Sequence, residues 1–296
     1  YLESALEVRA GSHHAQCADA VALRDHRAVI CDGISGVDGN GQVDLERVFN
    51  IFGHYTDDFR SAFYALFRRH REVDVSRSYN QARNSTIAAM EFPRTLSGQG
   101  MVLSAGTDTV LQLRRDGEGN LAPIALNQAH TLWNDLLRVF GEELSRWKEK
   151  AVKASPHKKE GDICFIALNG MVKQMFDYNL DQVHDSILRD YLIDFEKSNC
   201  PLVKWQYLLL MMYRMNCIVT ADLGSLSTKV TERNRDQKPF SVQRGDIYVL
   251  KTDGITLPPK EIATIARHRP LEQAAREILE ASKPEDDRCV LLVRTS

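Results

Sequence analysis

Acidic residues border apolar segments in three distant parts of the chain. Asp32, Asp253 and Asp286 each lie beside such a segment, and glycine follows the first two. A carboxylate at the end of a buried strand loses part of its hydration, which is costly unless it is paired or bound to a cation. Carboxylate oxygens are the ligands that hard cations such as Mg²⁺ and Mn²⁺ prefer. Each Asp-Gly pair alone is also typical of a simple turn, so only the combination points to a metal site.

A water activated by metal ions can hydrolyse a phosphorus ester without a protein nucleophile. The sequence has neither a Cys-x5-Arg loop nor a Gly-x-Ser-x-Gly elbow, the two nucleophile motifs expected of other hydrolases. The residues therefore favour metal-dependent hydrolysis.

Strands must bring these acids together. Apolar runs at 20–23 and 28–31, separated by the polar residues 24–27, predict a hairpin that ends at Asp32. Further strands are predicted at 85–92, 100–106, 109–113, 217–220, 240–242, 246–251 and 289–293. The first three of these follow one another closely, which predicts a meander.

The middle of the chain has a different pattern. From 131 to 216, Leu, Trp, Phe and Met recur at helical spacing. This predicts a helical insertion, serving as a cap or a partner-binding surface, between two parts of a catalytic core, 1–130 and 217–296. Within the core, amphipathic helices are predicted at 48–71 and 259–281.

The composition disfavours nucleic acid and membrane functions. A formal net charge of -2 provides no basic surface for a phosphate backbone. The longest apolar run, 207–213, is far shorter than the roughly 18 residues of a membrane-spanning helix, so no transmembrane segment is predicted. The six cysteines are scattered and lack zinc-binding spacing. They are predicted to be free thiols, which favours a cytoplasmic location.

Six segments, taken in order, resemble motifs of the protein phosphatase 2C family. The clearest is 245–255, where Gly-Asp-Ile-Tyr-Val-Leu-Lys-Thr-Asp-Gly-Ile is similar to Gly-Asp-x-x-x-Leu-x-Ser-Asp-Gly-Leu. At 286–290, Asp-Asp-Arg-Cys-Val stands where Asp-Asn-x-Thr-Val is usual. The other segments are 18–36, 84–88, 107–117 and 218–224. The resemblance implies an α+β fold, an α-β-β-α sandwich of two antiparallel sheets with a metal pair at one end.

The resemblance also implies ligands for two Mg²⁺ or Mn²⁺ ions. Asp32 would bridge both ions and the carbonyl of Gly33 would bind one. Asp253 and Asp286 would complete the shell of the other. Asp19 would bind directly or through a water molecule.

Other positions depart from the family or match it less closely. Asp108, in a segment similar to Gly-Asp-Ser-Arg, is a weaker candidate for a third, loosely held ion. The family's phosphate-binding arginine would fall at His14, and histidine cannot make the two-pronged contact of a guanidinium with phosphate. His14 is a candidate for substrate contact, with a solvated loop position as the alternative. This weaker phosphate contact fits either drift within a phosphatase or a less charged phosphodiester substrate.

The sequence therefore leaves three alternative functions. The first is a protein phosphatase acting on a phosphoprotein. The second, similar to bacterial effectors injected into host cells, is a de-AMPylase that hydrolyses the phosphodiester of an adenylylated tyrosine on a small GTPase, which implies virulence and a host cytosolic location. The third is a catalytically silent pseudophosphatase scaffold, against which the retained Asp32, Asp253 and Asp286 argue.

Overall fold

The computed structural model describes most of the predicted core and part of the insertion. The described residues are 2–12, 17–33, 86–95, 98–129, 186–200, 206–211 and 236–296, with the single residues 50, 59, 146, 149 and 204. The chain divides into two compact units, one of Tyr1–His130 and Ala221–Ser296, the other of Thr131–Thr220. His14, the predicted strand 217–220 and most of the predicted helix 48–71 lie outside the described residues.

The described strands of the first unit form two antiparallel five-stranded sheets, as expected for the α+β sandwich. The first sheet has the order β1-β10-β9-β6-β7 and the second β2-β3-β4-β5-β8. The strands are β1 Leu2–Arg9, β2 Ala20–Arg24, β3 Arg27–Cys31, β4 Ile87–Glu91, β5 Gln99–Ala105, β6 Thr109–Arg115, β7 Leu121–Ala125, β8 Asp236–Ser241, β9 Ile247–Lys251 and β10 Arg288–Thr295.

Three helices have defined bounds, and residues 206–211 are also helical. The three are α1 Ser186–Lys197 in the second unit, and α2 Pro259–His268 and α3 Leu271–Ala281 in the first. The single helix predicted at 259–281 is thus wrong. The helix is interrupted at Arg269, which is extended because a residue that precedes proline is disfavoured in the helical region. Pro270 then stands immediately before α3. Among the described helices, none has the length and apolar character needed to cross a membrane.

The central strands β9 and β10 of the first sheet are buried on both faces, which explains their near-continuous apolar sequence. In β9, Tyr248 and Leu250 pack in the core between the two sheets, whereas Ile247 and Val249 pack against the helices α2 and α3. The strand β10 alternates in the same way. Burying such side chains stabilises the fold by about 1.5–3 kcal/mol each. The central strands β9 and β10 are therefore a rigid support for the residues at their ends.

The meander predicted from 85 to 113 is also wrong. β4 and β5 pair in the second sheet, whereas β6 pairs with β7 and β9 in the first. The chain changes sheets at Gly106, whose φ of 116° suits glycine and where a Cβ would lie 2.2 Å from the Thr86 side chain. This crossing places Asp108 at the end of the sandwich.

Candidate active site

The β2–β3 hairpin brings the first two predicted ligands to one end of the sandwich. Ala20 pairs with Cys31, so Asp19, which precedes β2, and Asp32, which follows β3, flank the same end of the hairpin. Asp19 is buried, with 3% of its surface exposed. Asp32 is half-buried. The hairpin predicted from the apolar runs thus places two carboxylates side by side.

Thr86 connects this pair to Asp108. Its backbone N–H donates to the carbonyl of Asp32 at 2.9 Å. Its hydroxyl donates to Oδ2 of Asp108 at 2.7 Å. Both Thr86 and Asp108 are buried. A single threonine therefore holds the end of β3 and the corner before β6 together.

The turn that carries Asp253 lies at the end of β9. Lys251 pairs with Thr109 of β6, so the residues after β9 emerge next to the corner that carries Asp108. The N–H of Ile255 donates to the carbonyl of Thr252 at 3.2 Å and closes the turn. Asp253 is exposed at this turn. It can therefore reach a ligand from solvent without unfolding the turn.

Gly254 brings this turn against the segment that carries Asp286. A Cβ at position 254 would lie 1.8 Å from the carbonyl oxygen of Asp287, so only glycine allows this approach. Asp286 itself is exposed, and one of its oxygens accepts a hydrogen bond from the N–H of Asp287 at 2.9 Å.

Asp287 organises the site, although sequence reasoning gave it no role. Its two carboxylate oxygens accept hydrogen bonds from the N–H of Gly11 at 2.7 Å and of Ala18 at 2.6 Å. Asp287 is 5% exposed. It thereby ties the segment before Asp19 to the one that carries Asp286. The signal in the sequence is the second of two consecutive acids just before a buried strand.

The carboxylates at this end of the sandwich affect one another's ionisation. Burial, and then the charges of Asp253, Asp19 and Asp108, raise the pKa of Asp32 to about 11. Burial, with Asp287 and Asp253, raises the pKa of Asp19 to about 7, although Thr252 and Asp32 act in the opposite direction. Burial raises the pKa of Asp108 well above its ordinary value. The site is therefore a concentration of negative charge that favours protons or cations.

The donor atoms suit a hard cation. Both side-chain oxygens of Asp19 and Oδ1 of Asp108 are buried without a hydrogen-bond partner. A buried carboxylate oxygen in that condition is costly, and a divalent ion would satisfy it. Among the described residues, however, no three Asp, Glu, His or Cys side chains are gathered tightly enough to hold an ion as they stand. The structure thus brings Asp19, Asp32, Asp108 and Asp253 into one electrostatic group without forming a closed metal site.

The first acid of the motif at 245–255, Asp246, lies at the end of β9 away from Asp253 and is structural. Both of its oxygens accept hydrogen bonds from Arg114, at 3.1 and 2.7 Å. It also accepts from Gln112 at 2.9 Å and from the N–H of Gln243 at 2.9 Å. Asp246 is 2% exposed, and this network satisfies its charge. Its saturation contrasts with the unpartnered oxygens of Asp19.

No family model matches the chain, and no curated protein matches it. Solved structures do. The serine/threonine phosphatase of S. agalactiae has a TM-score of 0.62 and 14% identity, with 100% of each chain covered. The PPM Ser-Thr phosphatase MsPP from Mycobacterium smegmatis, in complex with cacodylate, has a TM-score of 0.61 and 14% identity over 99% of this chain and 98% of that one.

The catalytic domain of the serine/threonine protein phosphatase PstP, in complex with two manganese ions, is also similar. Its TM-score is 0.58 at 13% identity, over 99% of this chain and 97% of that one. At such identities the likeness establishes the fold. The resemblance that the motifs indicated is thus confirmed at the level of the fold, which is the two-sheet α+β sandwich of these phosphatases.

Proposed function

Since the chain has the fold of the protein phosphatase 2C type, we propose that it is a metal-dependent phosphohydrolase that removes phosphate from a serine or threonine side chain of a protein. The observation that carries the proposal is the convergence of Asp19, Asp32, Asp108 and Asp253, from distant parts of the chain, at one end of the sandwich. Phosphatases of similar structure act on phosphoserine and phosphothreonine, and one of them is in complex with manganese.

We assign the ligands of two Mg²⁺ or Mn²⁺ ions as the family resemblance implies. Asp32 would contact both ions and the Gly33 carbonyl one of them, with Asp253 and Asp286 on the other and Asp19 direct or through water. Ions held there lower the pKa of a water molecule and stabilise charge on phosphoryl oxygens. In the metal-free protein the carboxylates repel one another, so they would have to draw together around the ions.

Thr86 and Asp287 would position these ligands. Thr86 holds the carbonyl of Asp32 and the carboxylate of Asp108, and Asp287 holds the backbone before Asp19. Outer partners of this kind orient ligands, and their loss typically costs about 10–100-fold in metal affinity or activity. These two residues would thus support the proposed ligands.

The test is phosphate release from phosphoserine and phosphothreonine peptides, with Mn²⁺ and with a chelator. We expect release that depends on Mn²⁺ and disappears in Asp32→Asn. A matched control is Asp116→Asn, because Asp116 also precedes glycine but lies in an exposed turn. An asparagine oxygen there can still accept the hydrogen bonds that the backbone N–H groups of this turn donate to Asp116.

The two other expected functions enter as outcomes of this test, since no described residue favours either. An adenylylated small GTPase is supplied in a parallel reaction. Release of AMP without phosphate release from the peptides would replace the proposal with de-AMPylation. A folded protein that binds Mn²⁺ and hydrolyses neither substrate would be a scaffold.

A further inference from the structure

Lys251, the last residue of β9, carries a charge into a buried position. All five residues of β9 are buried, and Lys251 is 9% exposed. Lysine is almost never so buried unless it is paired, because its ammonium loses hydration. Its four-carbon stem continues the apolar strand, but the ammonium requires partners of its own.

The direct partner of Lys251 is the turn that carries Asp253. Nζ donates to the carbonyl oxygen of Ile255 at 2.6 Å. The N–H of the same residue donates to the carbonyl of Thr252 at 3.2 Å. Both polar backbone groups of Ile255 are thus bonded within the turn. Because Asp253 stands at the corner of this turn, Lys251 helps to fix where its carboxylate begins.

The charge of Lys251 also acts on the site through space. The side chain of Lys251 lies close enough to the carboxylates of Asp253 and Asp108 for their charges to interact. The pairing of Lys251 with Thr109 puts Asp108 one residue away on the adjacent strand. Asp108 has one oxygen bonded to Thr86 and one buried without a partner. Two of the carboxylates at the site are therefore within electrostatic range of the Lys251 side chain.

We propose that Lys251 is a positioning residue whose ammonium holds the Asp253 turn and supplies, beside Asp108, the positive charge that a third, loosely bound divalent ion would otherwise provide. The chain then takes two ions and no third ion at Asp108. This inference rests on the proposed function for the ions, whereas the bond from Lys251 to the Asp253 turn and its place opposite Thr109 stand on the geometry above.

The test is calorimetric titration of the full chain with Mn²⁺. Lys251→Met keeps the length of the stem and removes the charge. We expect it to bind one more Mn²⁺ than the wild type, or to bind Mn²⁺ about tenfold more tightly, because a nearby positive charge no longer repels the ion. Adding Asp108→Asn to Lys251→Met should reverse that gain.

The matched control is Lys238→Met. Lys238 also donates one hydrogen bond to a backbone carbonyl, that of Ala125 at 2.9 Å, but it is exposed and none of the site's acids is its partner. We expect its Mn²⁺ titration to equal that of the wild type. Equal titrations for Lys251→Met and the wild type would overturn the proposal and leave Lys251 as a purely structural residue.

A second variant keeps the proposal testable if Lys251→Met fails to fold. Asp108→Asn alone should leave the number of bound Mn²⁺ ions unchanged, because no ion occupies that position. Loss of one ion in Asp108→Asn would overturn the inference.

Failure of the proposed function is separable from failure of this inference. A wild type that binds no Mn²⁺ and releases no phosphate refutes the former. The latter is then judged by thermal unfolding in metal-free buffer of the wild type, Lys251→Met, Asp108→Asn and the double variant. Non-additive shifts in Tm support an interaction between Lys251 and Asp108, whereas additive shifts overturn it.

Discussion

The carboxylates of the site differ in what surrounds each of them. Asp287 accepts a backbone hydrogen bond on each oxygen, whereas the oxygens of Asp19 are buried without a partner at hydrogen-bond geometry. Asp246, in the same fold, is saturated by an arginine and neighbouring groups. The saturated Asp246 and Asp287 are thus structural acids, whereas Asp19 is a candidate metal ligand.

The charge on Asp32 is expected to be needed for activity and unfavourable for metal-free stability. Loss of a residue that orients a metal ligand typically costs about 10–100-fold in activity. Asp32→Asn should lower phosphate release by more than that. In metal-free buffer it should raise the Tm, because it removes one of several repelling, desolvated carboxylates. Thermal unfolding and a peptide assay measure the two effects. A lower metal-free Tm would show that the Asp32 charge stabilises the fold.

Asp287 is expected to act through the backbone that it holds. Asp287→Asn replaces one acceptor with an amide donor facing an N–H, which should destabilise the protein by about 1–3 kcal/mol. It should also weaken Mn²⁺ binding about 10–100-fold. Urea unfolding and a Mn²⁺ titration give the two values. Unchanged affinity in a destabilised variant would restrict Asp287 to a structural role.

At the level of elements, the turns between strands determine where the ligands stand. The turn after β9 packs through Gly254 against the backbone of Asp287. The crossing at Gly106 carries the chain from the second sheet to the first. Both positions are glycines with a neighbouring atom where a side chain would begin. The strands supply rigidity, and these two close approaches supply the convergence.

Gly254→Ala should therefore separate the Asp253 turn from Asp286. Its Cβ would lie 1.8 Å from a backbone oxygen, so the turn must shift. We expect a loss of about 1–3 kcal/mol in stability, as in overpacked cores. A displacement near 1 Å should reduce phosphate release about 100-fold. The matched control is Gly117→Ala, another glycine after aspartate, whose Cβ would meet nothing within 4 Å. Equal effects of the two substitutions would contradict this account.

The positions of the strands were predicted better than the way the strands pair in the sheets. The hairpin of β2 and β3 was predicted because a polar turn separates two apolar runs, and these local features are enough to identify it. The meander was wrong because strand spacing does not show a change of sheet, which here depends on the contact between Gly106 and Thr86. β1 was missed because, as an edge strand, it is half polar.

The candidate site was predicted in the same uneven way. Asp32, Asp253 and Asp286 were predicted because each stands at a strand end, a position visible in one dimension, whereas Asp19 and Asp108 were predicted from the family resemblance. Asp287 and Lys251 were missed because their roles depend on partners across the fold, Gly11 in one case and the carbonyl of Ile255 in the other. Spacing alone does not reveal hydrogen bonds between distant segments.

At the scale of the whole molecule, the charge at one end of the sandwich links metal binding to stability. Mn²⁺ at about 100 times its Kd should stabilise the folded chain by about 2.7 kcal/mol for each site that exists only in the folded state. For a unit of this size that corresponds to an increase in Tm of about 5–10 °C. Thermal unfolding with a chelator and with Mn²⁺ measures this increase.

Asp32→Asn should abolish most of the increase in Tm. Asp246→Asn, which weakens the saturated network at the other end of β9, should lower both values of Tm and preserve their difference. A Mn²⁺-dependent increase that survives in Asp32→Asn would place the bound ions away from the predicted site.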